Sequence, residues 1–157
     1  MNILSLDLGT TTGWAISMPD KIQSGVVSLK GYHFDSPDSK YTKFRRFLGE
    51  LKHRYGPIDH ITYEAVRRHA GTIAGQTYGG FCAALQMFGD HHRIPYEGVP
   101  VATIKKFATG HGNASKLDMI NAMQNKGHTP KDDNEADALA LLYYTLKTNA
   151  ETSHDCH

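Results

Sequence analysis

The chain has 157 residues, a formal net charge of +1, 39% hydrophobic and 21% charged residues. This is the size and balance of one globular domain with a real core, and no run of about 18 apolar residues offers a membrane span. The chain enters a strand-like run without a basic segment and cleavage site, so no secretory leader is expected. Two cysteines, Cys82 and Cys156, lack metal-ligand spacing and any disulfide framework, which fits a reducing, cytoplasmic compartment.

Residues 2–7 read as a buried strand. Gly9 and Gly13 bracket a tight turn, and Trp14-Ala15-Ile16-Ser17-Met18 reads as the returning strand. Pro19-Asp20 is turn chemistry, and residues 22–29 complete a meander of three. Residues 31–38 read as a loop. Over 40–54, Phe44, Phe47, Leu48 and Leu51 recur at helical spacing. The opposite face carries Lys40, Lys43, Arg45, Arg46, Lys52, His53 and Arg54. Gly56-Pro57 ends that helix, and 58–64 is a fourth strand. Residues 71–90 read as a helix despite Gly71, Gly75, Gly79 and Gly80, since each glycine costs only about 1 kcal/mol against alanine. Its small residues permit close packing, within the monomer or across a dimer. A fifth strand over 94–99, short helices over 101–109 and 115–125, and a final helix over 132–147 follow. The domain is expected over 1–148, with 149–157 as a flexible, frayed tail. The order βββ-α-β-α-β-α-α-α predicts an α/β fold: a mixed five-stranded sheet, a meander followed by βαβ, with helices on both faces. The functional site of such a sheet lies at the carboxyl ends of its strands.

Acids stand where that site is expected. Asp7 ends the run Ile3-Leu4-Ser5-Leu6, and Glu64 ends Ile61-Thr62-Tyr63. Asp133 and Asp137 open the last helix four residues apart, on one face, and Asn134 reaches the same side. Glu135 points roughly away, and Asp132 lies before the helix. Each acid has a plainer reading. Asp133 serves as a helix N-cap, Glu64 pairs with Arg67 or Arg68, and Asp7 is a turn residue. Yet a carboxylate at the end of a buried strand is costly without a partner, and several converging acids ask for a shared cation. Hard oxygen ligands suit Mg²⁺ or Mn²⁺, and two such ions perform phosphodiester hydrolysis. Basic groups cluster nearby in sequence, at Arg67-Arg68-His69 and at Lys105, Lys106 and Lys116. Cations beside an acidic centre suit a polyanion.

Leu6-Asp7-Leu8-Gly9 with Gly13-Trp14, Tyr63-Glu64, Gly110-His111-Gly112-Asn113-Ala114-Ser115-Lys116 and Glu135-Ala136-Asp137-Ala138-Leu139-Ala140 together resemble the RuvC family of Holliday junction resolvases, within the RNase H-like fold. The resemblance covers roughly residues 1 to 147 and is similar to versions carried by phages or prophages. It implies a homodimer that nicks two opposed strands of a four-way DNA junction with Mg²⁺, two ions per site, and leaves open whether forks and flaps are also cut. Asp7, Glu64, Asp133 and Asp137 become the catalytic acids, and these with Asn134 the metal ligands. Lys116 matches the family's lysine after the glycine-containing loop and joins the catalytic set. Lys43, Arg46, Arg67, Arg68, Lys105, Lys106 and Lys116 are the expected DNA contacts. The helix over 71–90 is the expected dimer face, with Tyr78, Phe81, Met87 and Phe88 supplying apolar area. Two departures stand out. The family often has an acid or histidine three residues before its final aspartate, where this chain has Asn134. It often has an aromatic residue shortly after the strand glutamate, where this chain has Val66-Arg67-Arg68, leaving arginine stacking or Tyr78 for that task. Three rivals share parts of the pattern. The Asp7–Gly13 turn looks like the phosphate loop of the sugar kinase and actin superfamily, which needs a second domain. A YqgF-like nuclease acting on structured RNA would use the same acids. A non-cleaving branched-DNA binding module would not need them intact.

Overall fold

The computed structural model describes residues 1–30 and 38–154. The expected loop over 31–38, save Asp38, lies outside the described residues, as do Cys156 and the last three residues of the expected tail. Five strands form one sheet in the order β3-β2-β1-β4-β5. β1 (Ile3–Asp7) is central; β2 (Thr11–Met18) and β3 (Lys21–Ser28) run antiparallel as a meander on one side. β4 (His60–Ala65) and β5 (Tyr96–Pro100) run parallel to β1 on the other. The mixed five-stranded α/β sheet expected from the element order is the one observed.

Side chains alternate across β1, and each set meets its own layer. Leu4 and Leu6, with Trp14, Ile16 and Ile61, pack on α1 (Lys40–Tyr55) and α2 (Thr72–His92) through Phe44, Leu48, Phe81 and Leu85. Ile3 and Ala15 face α3 (Val101–Thr109), α4 (Lys116–Asn125) and α5 (Asp133–His154) through Ile104, Met119, Ala136 and Leu139. Local signals set the helix ends. Ser39 caps α1, its hydroxyl accepting from the Thr42 amide at 3.2 Å. Gly56, at φ 84°, closes α1 in a conformation that glycine alone adopts freely. Ser115 and Asp118 form a reciprocal capping box on α4.

The ends of β4, β5 and α2 lie one or two residues from expectation, and two other boundaries differ with more consequence. β2 begins at Thr11, so Gly13 lies inside the strand, paired with Asp7 and Val26, rather than closing the turn. The last helix continues to His154, so residues 149–154 are helical rather than frayed. No glycine or proline interrupts that stretch, and Thr148, Thr152 and Ser153 fold their hydroxyls onto carbonyls of the preceding turn.

Candidate active site

β1 and β4 are parallel, with Leu6 opposite Tyr63, so the next residues, Asp7 and Glu64, stand side by side at the carboxyl edge. Both share the parity of Ser5 and Thr62, whose buried hydroxyls meet at 2.7 Å on the α5 side of the sheet. α5 brings the third acid. Its N-cap is Asp132, whose carbonyl accepts from the Ala136 amide at 3.2 Å and whose carboxylate accepts from the Glu135 amide at 3.0 Å. Asp133 is therefore not the cap, and its side chain is left to face the site. The first turn of α5 lies directly on β2. A Cβ on Gly13 would stand 1.9 Å from the Asn134 carbonyl oxygen, so a side chain there is sterically impossible without moving the helix. Glu135, expected to point away, does turn from the acids, but inward. It is buried, and accepts from the Ser24 hydroxyl at 2.7 Å and the Lys131 amide at 2.8 Å.

With the helix seated, carboxylate oxygens of Asp7, Glu64 and Asp137 all lie within 4.8 Å of one another. Burial pushes the Asp7 carboxyl well above its ordinary range, and the charge of Glu64, a hydrogen bond with Glu64, and the charges of Asp137 and Asp133 add to it. Burial also raises Glu64, opposed by its hydrogen bond with Asp7 and by Lys105. Both carboxyls lie above their ordinary range, burial being the first cause for each. Burial, then the charges of Glu64 and Asp133, lift Asp137 to about 7, against the pull of Lys105 and Lys116.

The other expected site residues divide. Asp133 lies outside the three-carboxylate group; its carboxylate is 3.5 Å from the Lys116 ammonium, at side-chain exposures of 25% and 82%. Asn134 directs its amide nitrogen to the Asp132 carboxylate at 3.2 Å. Lys105, on α3, is the cation whose charge acts on Glu64, a role the plainer reading gave to Arg67 or Arg68. Lys106, Arg67 and Arg68 are exposed. Lys43 and Arg46 lie on α1, in the opposite layer, and Arg46 is ion-paired with Asp38. On α2, Phe81 and Phe88 are core residues rather than surface, and Tyr78 is half-buried with its hydroxyl spent on the backbone of β4. Met87 remains exposed.

Sequence reading missed Gly13, Glu135–Ser24 and the Tyr78 hydroxyl. For Gly13 a signal existed: Thr11-Thr12 is β-branched and continuous with the apolar run that follows.

This donor set fits a hard divalent cation. All three groups are carboxylates, all are desolvated, and the charge of Glu64 raises the cost of charging both Asp7 and Asp137. Oxygens bound to one octahedral Mg²⁺ at 2.0–2.1 Å lie about 3 Å apart when adjacent and about 4.2 Å when opposite, so modest side-chain adjustment brings oxygens that lie within 4.8 Å of one another onto one ion.

A central β1–β4 pair ending in acids, a three-stranded meander and an acid-bearing final helix define an RNase H-like fold. No family model matches the chain, and no curated protein matches it. Among solved structures it is similar to Thermus thermophilus RuvC in complex with a Holliday junction substrate, at TM-score 0.71 and 18% identity over 89% of each chain. It is also similar to another T. thermophilus RuvC structure, at TM-score 0.67 and 18% identity over 89% of this chain and 90% of that one. The yeast mitochondrial Holliday junction resolvase Ydc2 follows, at TM-score 0.60 and 12% identity over 88% of this chain and 74% of that one. At such identities the likeness establishes the fold.

Proposed function

We propose that this protein is a metal-dependent endonuclease that resolves four-way DNA junctions as a homodimer in the cytoplasm. The observation that carries the reading is the convergence of Asp7, Glu64 and Asp137 within 4.8 Å at the carboxyl edge of a RuvC-like sheet. Asp7 and Glu64, held by strand register, and Asp137, held by the seated helix, are the cation ligands; Asp133 and Asn134 complete the set at its rim. Two Mg²⁺ ions, or Mn²⁺ in their place, supply Lewis-acid activation of water and neutralise charge at the scissile phosphate when bound.

The chain's own cations do the rest. Lys105 and Lys116 both bring positive charge to bear on Asp137, and the same two ammonium groups would meet the growing negative charge of a phosphate held at the acids. Lys116 is held at the rim by Asp133 and is exposed enough to exchange that partner for DNA. Lys106, Arg67 and Arg68 extend the cationic edge, and Lys43 and Arg46 contribute from α1. These contacts make binding strongly salt-dependent. One site per chain and two opposed strands to cut call for a two-fold pair. The exposed stripe of α2 at Gly79, Ala83 and Met87 suits that pairing, since a Cβ added at Gly79 meets nothing within 4 Å.

A panel of labelled four-way junction, fork, flap, plain duplex and RNA duplex, each in Mg²⁺, Mn²⁺, Ca²⁺ and EDTA, tests this. Paired nicks at symmetric positions of the junction in Mg²⁺ and Mn²⁺, with little cutting in Ca²⁺, are expected. Full turnover in EDTA, or cutting of the RNA duplex alone, overturns the reading. Light scattering at micromolar protein should give the mass of two chains.

A further inference from the structure

The end of β4 carries Glu64 and then leaves the sheet: β5 ends opposite Ala65, at Pro100, which has no amide hydrogen to offer. One residue from α2 meets the backbone there. The Tyr78 hydroxyl donates to the Glu64 carbonyl at 2.7 Å and accepts from the Val66 amide at 3.1 Å. Groups two residues apart on a strand point to the same side, so this single hydroxyl supplies the acceptor and donor that a neighbouring strand would otherwise offer. The ring is half-buried and stacks on His69 at 4.9 Å between centroids, which fixes the hydroxyl in place.

We propose that Tyr78 is a positioning residue for Glu64: it locks the strand end to α2, so that the outer helix and the metal-site carboxylate move as one body. The inference rests on Glu64 being a cation ligand. Holding the backbone on either side of the Glu64 side chain fixes the point from which its carboxylate reaches the site. Groups that orient metal ligands without touching the metal typically account for about 10–100-fold in metal affinity.

Tyr78→Phe keeps the ring and deletes both backbone hydrogen bonds, together with the hydroxyl's contact with the Cys82 thiol. Mn²⁺ titration calorimetry without DNA should show binding weakened about tenfold, in the range quoted for such partners. The turnover rate should fall similarly, with junction affinity in Ca²⁺ unchanged. Tyr143→Phe, which removes a hydroxyl bonded to His128 instead, should leave Mn²⁺ binding intact. In the wild-type protein the Val66 amide should exchange slowly with solvent, a readout that needs no variant. Unchanged Mn²⁺ affinity in Tyr78→Phe, or a rapidly exchanging Val66 amide, overturns the positioning role. Absence of Mn²⁺ binding in the wild type would instead overturn the metal reading on which it rests.

Discussion

The two faces of the sheet are built from different materials. The α1–α2 face is aromatic: Trp14 meets Phe47 at 6.2 Å, and Phe81 meets Tyr41 at 5.1 Å and Phe44 at 5.3 Å between ring centroids. The α5 face is small and hydroxylated. Gly13 and Ala15 on the sheet meet a helix carrying Ala136, Ala138 and Ala140, and Thr145 donates to Thr62 at 3.2 Å beneath the acids. Large rings contribute most of the buried apolar area but hold helices away from the strands. Small residues contribute less and let α5 lie close. An aspartate side chain is short, so Asp137 reaches Asp7 only because its neighbours are alanines over a glycine. The α5 side also buries Leu139, Leu142, Met119 and Met123, so its small residues are confined to the seat of the helix on β1 and β2, where they set a distance.

The strongest way to break this comparison is to remove the acids that the close face exists to gather. Asp7→Asn, Glu64→Gln and Asp137→Asn should each lower junction cleavage by several orders of magnitude. Each should also melt higher than wild type in EDTA at neutral pH or above, because a desolvated carboxyl that is costly to charge is gone. Junction cleavage time courses and melting curves on the same preparations test both halves. Normal cleavage by Asp7→Asn sinks the assignment, and a lower melting temperature in all three variants sinks the electrostatic account.

That much of the site was legible because its chemistry is local: an acid at the end of an apolar run is conspicuous within five residues. The parts that were not legible are long-range or differ by one residue. Gly13 reads as a turn glycine, since nothing near it in sequence reveals that Asn134 will lie on top of it. In Asp132-Asp133-Asn134 each residue is a good N-cap, and the choice of Asp132 is made by where Glu135 finds Ser24, 111 positions away. The sequence of strands and helices along the chain follows from periodicity and breakers, and a mixed sheet with two helical layers from their alternation; the order of strands within the sheet does not. On α2, Phe81 and Phe88 belong to the monomer's own core while Met87 stays exposed, a division that periodicity cannot make because it does not say whether an apolar residue meets its own sheet or a second chain.

The electrostatic cost of the close face should appear as a pH dependence in EDTA. The folded-state pKa of Asp137 is about 7 against an ordinary 3.8. The folded state thus binds this proton more tightly than the unfolded chain. Below about pH 4 both states are protonated and the full stability is present. As pH rises toward 7 the unfolded chain ionises first, and stability falls by about 4 kcal/mol at roughly 1.4 kcal/mol per unit. Asp7 and Glu64 shift in the same direction. Urea denaturation between pH 4.5 and 7.5 should show a steeper decline for wild type than for Asp137→Asn, and Mg²⁺ should flatten it. Identical slopes in EDTA would show that Asp137 ionises freely.

Two glycine substitutions compare the faces directly. Gly13→Ala places a methyl 1.9 Å from a backbone oxygen that cannot turn aside. It should destabilise by about 1–3 kcal/mol and displace the start of α5, lowering cleavage with it. Gly49→Ala, inside α1 on the aromatic side, meets nothing within 4 Å and should stabilise by up to about 1 kcal/mol with cleavage unchanged. Urea midpoints and cleavage rates on both variants test the contrast. A tolerated Gly13→Ala would mean that the close face has slack.

Asp133→Asn gives the smallest expected effect and sharpens where the site ends. Asp133 lies on the same helix as Asp137, but outside the group of three oxygens, and its carboxylate faces the Lys116 ammonium at 3.5 Å. An ion pair with a lysine that is 82% exposed contributes little to stability, on the order of 0–1 kcal/mol, so the melting temperature should barely move. Two opposed consequences act on cleavage. Asparagine keeps an oxygen at the rim but weakens the field that draws cations in. It also releases Lys116 from a competing partner, which favours contact with phosphate. The net loss should therefore be much smaller than for Asp137→Asn. Lys116→Ala, which deletes the cation itself, should be the more damaging of the pair at low salt. Cleavage rates for the two single variants and the double, over a salt series, separate these contributions. If Asp133→Asn proves as inactive as Asp137→Asn, the helix contributes two carboxylates to the cations and the seat of α5 on Gly13 sets both distances.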